Sequence, residues 1–193
     1  MSNIAMQQPI TFWDRRGKEM IDGKIVAMAP ARPAHQMVVA RLARIFGNYL
    51  EEKPCKVLFD VYVYLSKNSK VAPDISVVCN TDIIKEDGIH GIPDLVVEVL
   101  SPSTAARDRA EKKKLYEKNG VKEYWIVDTK NRMIEVYLLT DNEYIADNTY
   151  VIHDDFDLFE MTQEEKAGII TQFKTSLFDD LIIDINEVFK DLL

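Results

Sequence analysis

Two periods of apolar and polar positions run along this chain. Over residues 33–53 the apolar positions Val38, Leu42, Ile45 and Tyr49 recur at helical spacing, and Val39, Phe46 and Leu50 widen the stripe. That spacing predicts an amphipathic helix opened by Pro33. Ahead of it, residues 20–29 read as a hairpin turned at Asp22-Gly23. Behind it, residues 57–65 alternate loosely and are rich in Val, Tyr and Phe, which suits a strand. Short apolar runs at 75–79 and 95–100 predict two further strands, with a polar loop or short helical turn over 80–91. Residues 104–119 return to the helical period, with Ser103 or Thr104 as the cap and Gly120 as the stop. Strands at 124–128 and 133–139 follow, joined by a turn at 129–132. The tail, 173–193, holds a short apolar run (Leu181, Ile182, Ile183) and a closing helix. The strand–helix–strand step from Leu95 to Val127 predicts a partly parallel sheet, so the fold class is α+β, close to α/β, with a mixed sheet flanked by helices.

Composition narrows the class. The 193 residues are enough for one domain with a core, and 47% hydrophobic with 29% charged residues is ordinary for a soluble globular protein. No apolar run reaches the roughly 18 residues that a membrane helix needs. Residues 1–13 lack the basic start and apolar stretch of a signal peptide, so a cytoplasmic protein with no membrane partner is expected. Cys55 and Cys79 are too few for a zinc site or a disulfide framework and read as buried, reduced thiols. The formal net charge of -8 argues against a protein that coats nucleic acid. It leaves room for a site built on acidic residues, which add negative charge of their own. The one candidate basic patch is Arg107, Arg109, Lys112, Lys113, Lys114, Lys118 and Lys122; its plainer reading is a solvated helix face.

The chemistry sits at two proline–aspartate steps. The first, Pro73-Asp74, opens the strand at 75–79. The second, Pro93-Asp94, opens a strand that carries Glu98 among Val and Leu residues. An ionised carboxylate there is costly unless a base or a metal ion pairs with it. Asp94 and Glu98 share a strand face but lie roughly 13 Å apart, too far to hold one ion. Asp74 and Glu98 lie on different segments and can meet if those strands are neighbours, and Mg²⁺ takes one or two carboxylates plus water and phosphate. Asp94 is then a strand-entry or supporting residue.

A lysine two positions after Glu98 is the simplest way to supply charge, but that position is Leu100. The following helix offers Lys112. Five extended residues span roughly 16 Å and eight helical ones roughly 12 Å, so a helix folded back along the sheet brings Lys112 level with Glu98. Ala105, Asp108, Lys112, Leu115 and Tyr116 form the inward stripe; Arg107, Glu111, Lys114 and Lys118 form the solvent face. Asp108 pairs with Lys112 at i, i+4, a contact that by itself contributes a few tenths of a kcal/mol. His35 is placed to face this site or to sit in the core. Glu19 is a spare acid with little support, and Ser101 and Ser103 contact phosphate or cap the helix.

These residues carry a family resemblance. The stretches 20–26, His35, Pro73-Asp74, 93–103, Asp108, Lys112, Tyr116, Gly120-Val121 and 123–128 resemble the Uma-two family of restriction-endonuclease-like proteins, a branch of the PD-(D/E)xK nuclease superfamily. The resemblance covers nearly the whole chain. It implies one restriction-endonuclease-like domain over 1–193, with a hairpin region at 12–30, a nuclease core at 33–139 and C-terminal strands and helix at 140–193. It also implies Asp74 and Glu98 as the acidic pair, with Lys112 standing in for the strand lysine that Leu100 replaces.

The leading expectation is a Mg²⁺- or Mn²⁺-dependent endonuclease acting on DNA. Asp74, Glu98 and the Val99 carbonyl hold the metal, Lys112 acts on the developing charge, and a homodimer is expected. Its rivals are an inactive nuclease fold that binds nucleic acid or protein, and a homo-oligomeric scaffold built on the apolar tail.

Overall fold

The computed structural model describes residues 17–28, 30–102 and 104–192. The expected start of the hairpin region (12–16), the N-terminal residues 1–13 and the cap residue Ser103 lie outside the described residues. The hairpin forms as expected, from β1 (Lys18–Ile21) and β2 (Lys24–Ala27), with Asp22 and Gly23 both at positive φ in its turn. Helix α1 (Pro33–Leu50) buries Val38, Leu42, Phe46 and Leu50 along the predicted stripe.

The single strand expected at 57–65 is two: β3 (Lys56–Phe59) and β4 (Val63–Ser66). Asp60 lies between them at φ 53, a left-handed conformation that Asp tolerates better than most residues. The chain turns there and passes from one sheet to another. β3 pairs with β6 (Ile75–Val78), whereas β4 pairs with β5 (Ser69–Val71). The polar stretch 80–91 holds a 3₁₀ turn (Thr81–Ile83) and two short strands, β7 (Ile84–Lys85) and β8 (Gly88–Ile89).

β9 (Leu95–Val99) is the centre of the molecule. It pairs antiparallel with β6 and parallel with β10 (Glu123–Asp128), the parallel step expected from the sequence. β11 (Met133–Thr140) and β12 (Glu143–Val151) complete a six-stranded mixed sheet in the order β12-β11-β10-β9-β6-β3. The second sheet runs β2-β1-β5-β4-β8-β7. Alternate residues of β9 feed two cores. Leu95, Val97 and Val99 pack towards α1; Val96 and Leu100 pack with Val63, Leu115 and Tyr116 on the other face.

The helix after β9 is not uniformly α. A first turn, α2 (Ala105–Arg107), leads into a π segment at Asp108–Lys112 and then α3 (Lys113–Asn119), ended by Gly120 at φ 86. Thr104 makes no side-chain cap to it. Beyond β12 come α4 (Asp155–Glu160), α5 (Gln163–Ala167), β13 (Gln172–Lys174), β14 (Ile182–Asp184) and α6 (Ile185–Val188). Phe173, Leu181, Ile183, Ile185 and Val188 pack into the α1 core, so the tail spends its apolar face inside its own chain.

Cys55 and Cys79 are joined in a disulfide, which corrects the reduced-thiol expectation. Register explains it: Lys56 opposes Val78, and one step further Cys55 opposes Cys79. Counting cysteines cannot reveal that pairing. No helix among the described residues is long and apolar enough to cross a membrane.

Candidate active site

Antiparallel pairing decides which acids meet. Ile75 opposes Val97, so Asp74, one residue before β6, comes level with Glu98 near the end of β9. Asp74 Oδ2 accepts the Val99 N–H at 2.7 Å. Asp94 stands at the other end of the same strand pair, where its Oδ2 accepts the Cys79 N–H at 2.8 Å and its Oδ1 meets Lys122 Nζ at 2.7 Å. Two sequence steps that look alike thus tie off opposite ends of one strand pair. Only Asp74 reaches the candidate site; Asp94 is a strand-entry residue outside it.

Glu98 is 3% exposed and Lys112 is 4% exposed. Lys112 Nζ lies 2.9 Å from Glu98 Oε1, 2.8 Å from Glu19 Oε1 and 3.8 Å from Asp108 Oδ1. The helix folds back along the sheet as its length predicted, and the π segment keeps both Asp108 and Lys112 on the buried side. π segments of this kind recur at functional sites. Tyr116 donates its hydroxyl to Glu98 Oε1 at 2.6 Å. His35, in the first turn of α1, sets Nε2 3.2 Å from Asp74 Oδ1, while its Nδ1 is buried with no partner among the described residues.

Glu19 is the residue that sequence reasoning undervalued. It is 3% exposed, accepts the Ala72 N–H at 2.9 Å, and shares Lys112 with Glu98. The signal was available in strand parity, since Glu19 stands two positions before buried Ile21 and so points to the same inner side. Arg107 is the other correction. Assigned to the solvent face, it instead lines the site cavity.

The remaining basic patch dissolves into separate contacts. Arg109 bonds Glu135, Lys113 sits over the Tyr137 ring, Lys118 pairs with Asp22 and Lys122 with Asp94.

Burial and like charge set the electrostatics. Burial, with Asp108, Asp74 and Glu19 nearby, holds the Glu98 carboxyl well above the usual carboxylate range against the pull of Lys112. Asp108 is raised by burial, again opposed by Lys112. Burial pulls Lys112 down, but Glu98, Glu19 and Asp108 outweigh it and raise the ammonium's pKa, so the lysine stays charged. Burial also lowers His35, yet the hydrogen bond and charge of Asp74, with the Val99 carbonyl, raise it overall. The Tyr116 phenol, pushed well up by burial and by Glu98, stays protonated and donates.

Asp74, Glu98, Val99, His35, Ser101, Asp108 and Lys112 line one cavity of about 820 Å³; Tyr116 stands behind Glu98. The cavity opens where β9 ends and β6 begins. Among the described residues, no three His, Cys, Asp or Glu side chains converge to hold a metal alone. The two carboxylates Asp74 and Glu98 at one cavity are a set that a hard cation keeping several waters could use. Acids outnumber cations here, and Asp108 Oδ1 is buried without a hydrogen-bond partner among the described residues, so added positive charge is accommodated.

Comparison with known proteins agrees with this architecture. The chain is 33% identical over 136 residues to an uncharacterized protein of Synechocystis sp., covering 67% of this chain and 72% of that one. A crystal structure described as a putative nuclease belonging to DUF820 from Anabaena variabilis shares the fold, with a TM-score of 0.70 at 18% identity over 91% of each chain. The model of the Uma2 family, described as putative restriction endonuclease, matches residues 14–164. With that match spanning most of its length, the chain belongs to the Uma2 family.

Proposed function

We propose that this chain hydrolyses phosphodiester bonds in DNA, with Mg²⁺ or Mn²⁺ held by Asp74, Glu98 and the Val99 carbonyl. The observation that carries this reading is the meeting of two carboxylates from adjoining strand ends with one buried lysine at a single cavity. The cation would offset charge on the scissile phosphate and acidify the attacking water. The chain's own groups fix the geometry. His35 and the Val99 N–H hold the two oxygens of Asp74, and Tyr116 and Lys112 hold Glu98 Oε1. Lys112, kept charged by three acids, would counter negative charge as it develops in the transition state. Asp108 steadies Lys112, and Ser101 lines the wall.

Cleavage of single-stranded DNA and of plasmid in Mg²⁺ tests the assignment. Asp74→Ala and Lys112→Ala are expected to abolish it while circular dichroism reports an intact fold. Unchanged cleavage in either folded variant contradicts the role of the residue it removes.

The depth of Glu98 and the commitment of Lys112 to three acids favour one alternative, a nuclease fold kept as a binding module. It predicts weak Mg²⁺ binding and no loss of function in Glu98→Gln.

A further inference from the structure

We infer that the substrate of this site is an unpaired stretch of DNA, gripped by base stacking on Phe59 and by a phosphate contact to Arg107. The inference rests on the nuclease reading and adds the form of the strand. Phe59 ends β3 directly opposite Ile75, the residue after Asp74. Its ring is 57% exposed and lines the cavity, the one large apolar side chain so exposed among the described lining residues. A lone exposed phenylalanine is unremarkable elsewhere on a surface. Here it is an exposed π-face lining the same cavity as Asp74 and Glu98. Tyr62 on the same wall already has Lys70 Nζ 3.8 Å over its ring.

Charge points the same way. Duplex binding rests on rows of Lys and Arg along two phosphate backbones. This cavity carries Glu19, Asp60, Asp74, Glu98 and Asp108 against Lys112 and Arg107. Lys112 is committed to acids, whereas Arg107 makes no hydrogen bond or ion pair among the described residues. One uncommitted cation holds a phosphate but not a duplex. Stacking, which every base can supply, provides the rest of the grip. Size agrees: about 820 Å³ is the scale of a small-ligand pocket. A nucleotide from a flexible strand reaches the nearly buried Glu98, and a rigid duplex does not.

Fluorescence anisotropy in EDTA at low salt tests this with a labelled single strand, its duplex and an abasic single strand. The single strand is expected to bind at least about tenfold tighter than the duplex, and Phe59→Ala to lose about tenfold on the intact strand. Phe59→Trp should retain binding, and the abasic strand should be insensitive to Phe59→Ala. Arg107→Gln should weaken intact and abasic strands alike. Equal binding of duplex, an unchanged Phe59→Ala, or no DNA binding overturns the inference. The same DNAs in Mg²⁺ separate the two readings. Phe59-dependent binding without cleavage keeps the recognition and overturns hydrolysis. Cleavage of duplex and single strand at equal rates does the reverse.

Discussion

Glu98 and Glu123 are both buried glutamates in neighbouring parallel strands, yet they live in different chemistry. Glu123 is fully buried and served by neutral donors: Trp125 Nε1 at 2.7 Å, and the Ser176 N–H and hydroxyl at 2.8 and 2.6 Å. Glu98 shares one lysine with Glu19, feels Asp74 and Asp108, and lines a cavity. Burial raises the pKa of both groups. The contrast teaches that a buried acid in an apolar strand is not by itself a site. Crowding by like charge beside an open cavity is what sets Glu98 apart.

Removing Lys112 gives the largest effect. Lys112→Met leaves Glu19 and Glu98 buried without their cation, and urea unfolding should register a loss of about 3–5 kcal/mol. A loss under about 1 kcal/mol would mean the acids are already protonated in the native state. Next comes activity. Glu98→Gln should lower Mg²⁺-dependent DNA cleavage by about 10² or more, the scale of losing one preorganised charge, while Glu123→Gln leaves the rate within about twofold. Equal losses in the two variants would erase the contrast.

Stability reverses the order of the two glutamates. Glu123→Gln turns one acceptor oxygen into a donor facing the Trp125 or Ser176 donors and should cost about 1–3 kcal/mol in denaturant melts. Glu98→Gln should cost less, because it removes one of several crowded charges. The smallest effect is the pH slope. Both glutamates hold a proton to higher pH in the folded state than unfolded. Stability therefore falls as pH rises from roughly 4.3 through their raised values, by at most about 1.4 kcal/mol per pH unit for each group. Gln at either position flattens the slope. Added Mg²⁺ should stabilise the protein increasingly as pH rises, an effect lost in Glu98→Gln and kept in Glu123→Gln.

Periodicity made the main elements legible, and helix length alone brought Lys112 level with Glu98. What stayed hidden needed register. Strand rise already set Asp94 apart from Glu98, and the antiparallel pairing of β6 with β9 then shows why Asp74 and Asp94 stand at opposite ends. Cys55 and Cys79 meet for the same reason. Glu98 and Glu123 are told apart by partners from distant segments, Glu19 and Ser176, which no local pattern discloses. The strand break at Asp60 depended on one left-handed residue, which a loose alternation does not disclose.

Calorimetric titration of Mn²⁺ into the wild type, Glu98→Gln and Glu123→Gln addresses the central claim most directly. The account predicts a binding site in the wild type and in Glu123→Gln that disappears in Glu98→Gln. Binding that survives Glu98→Gln, or no binding in the wild type, would contradict a metal-dependent site at these carboxylates.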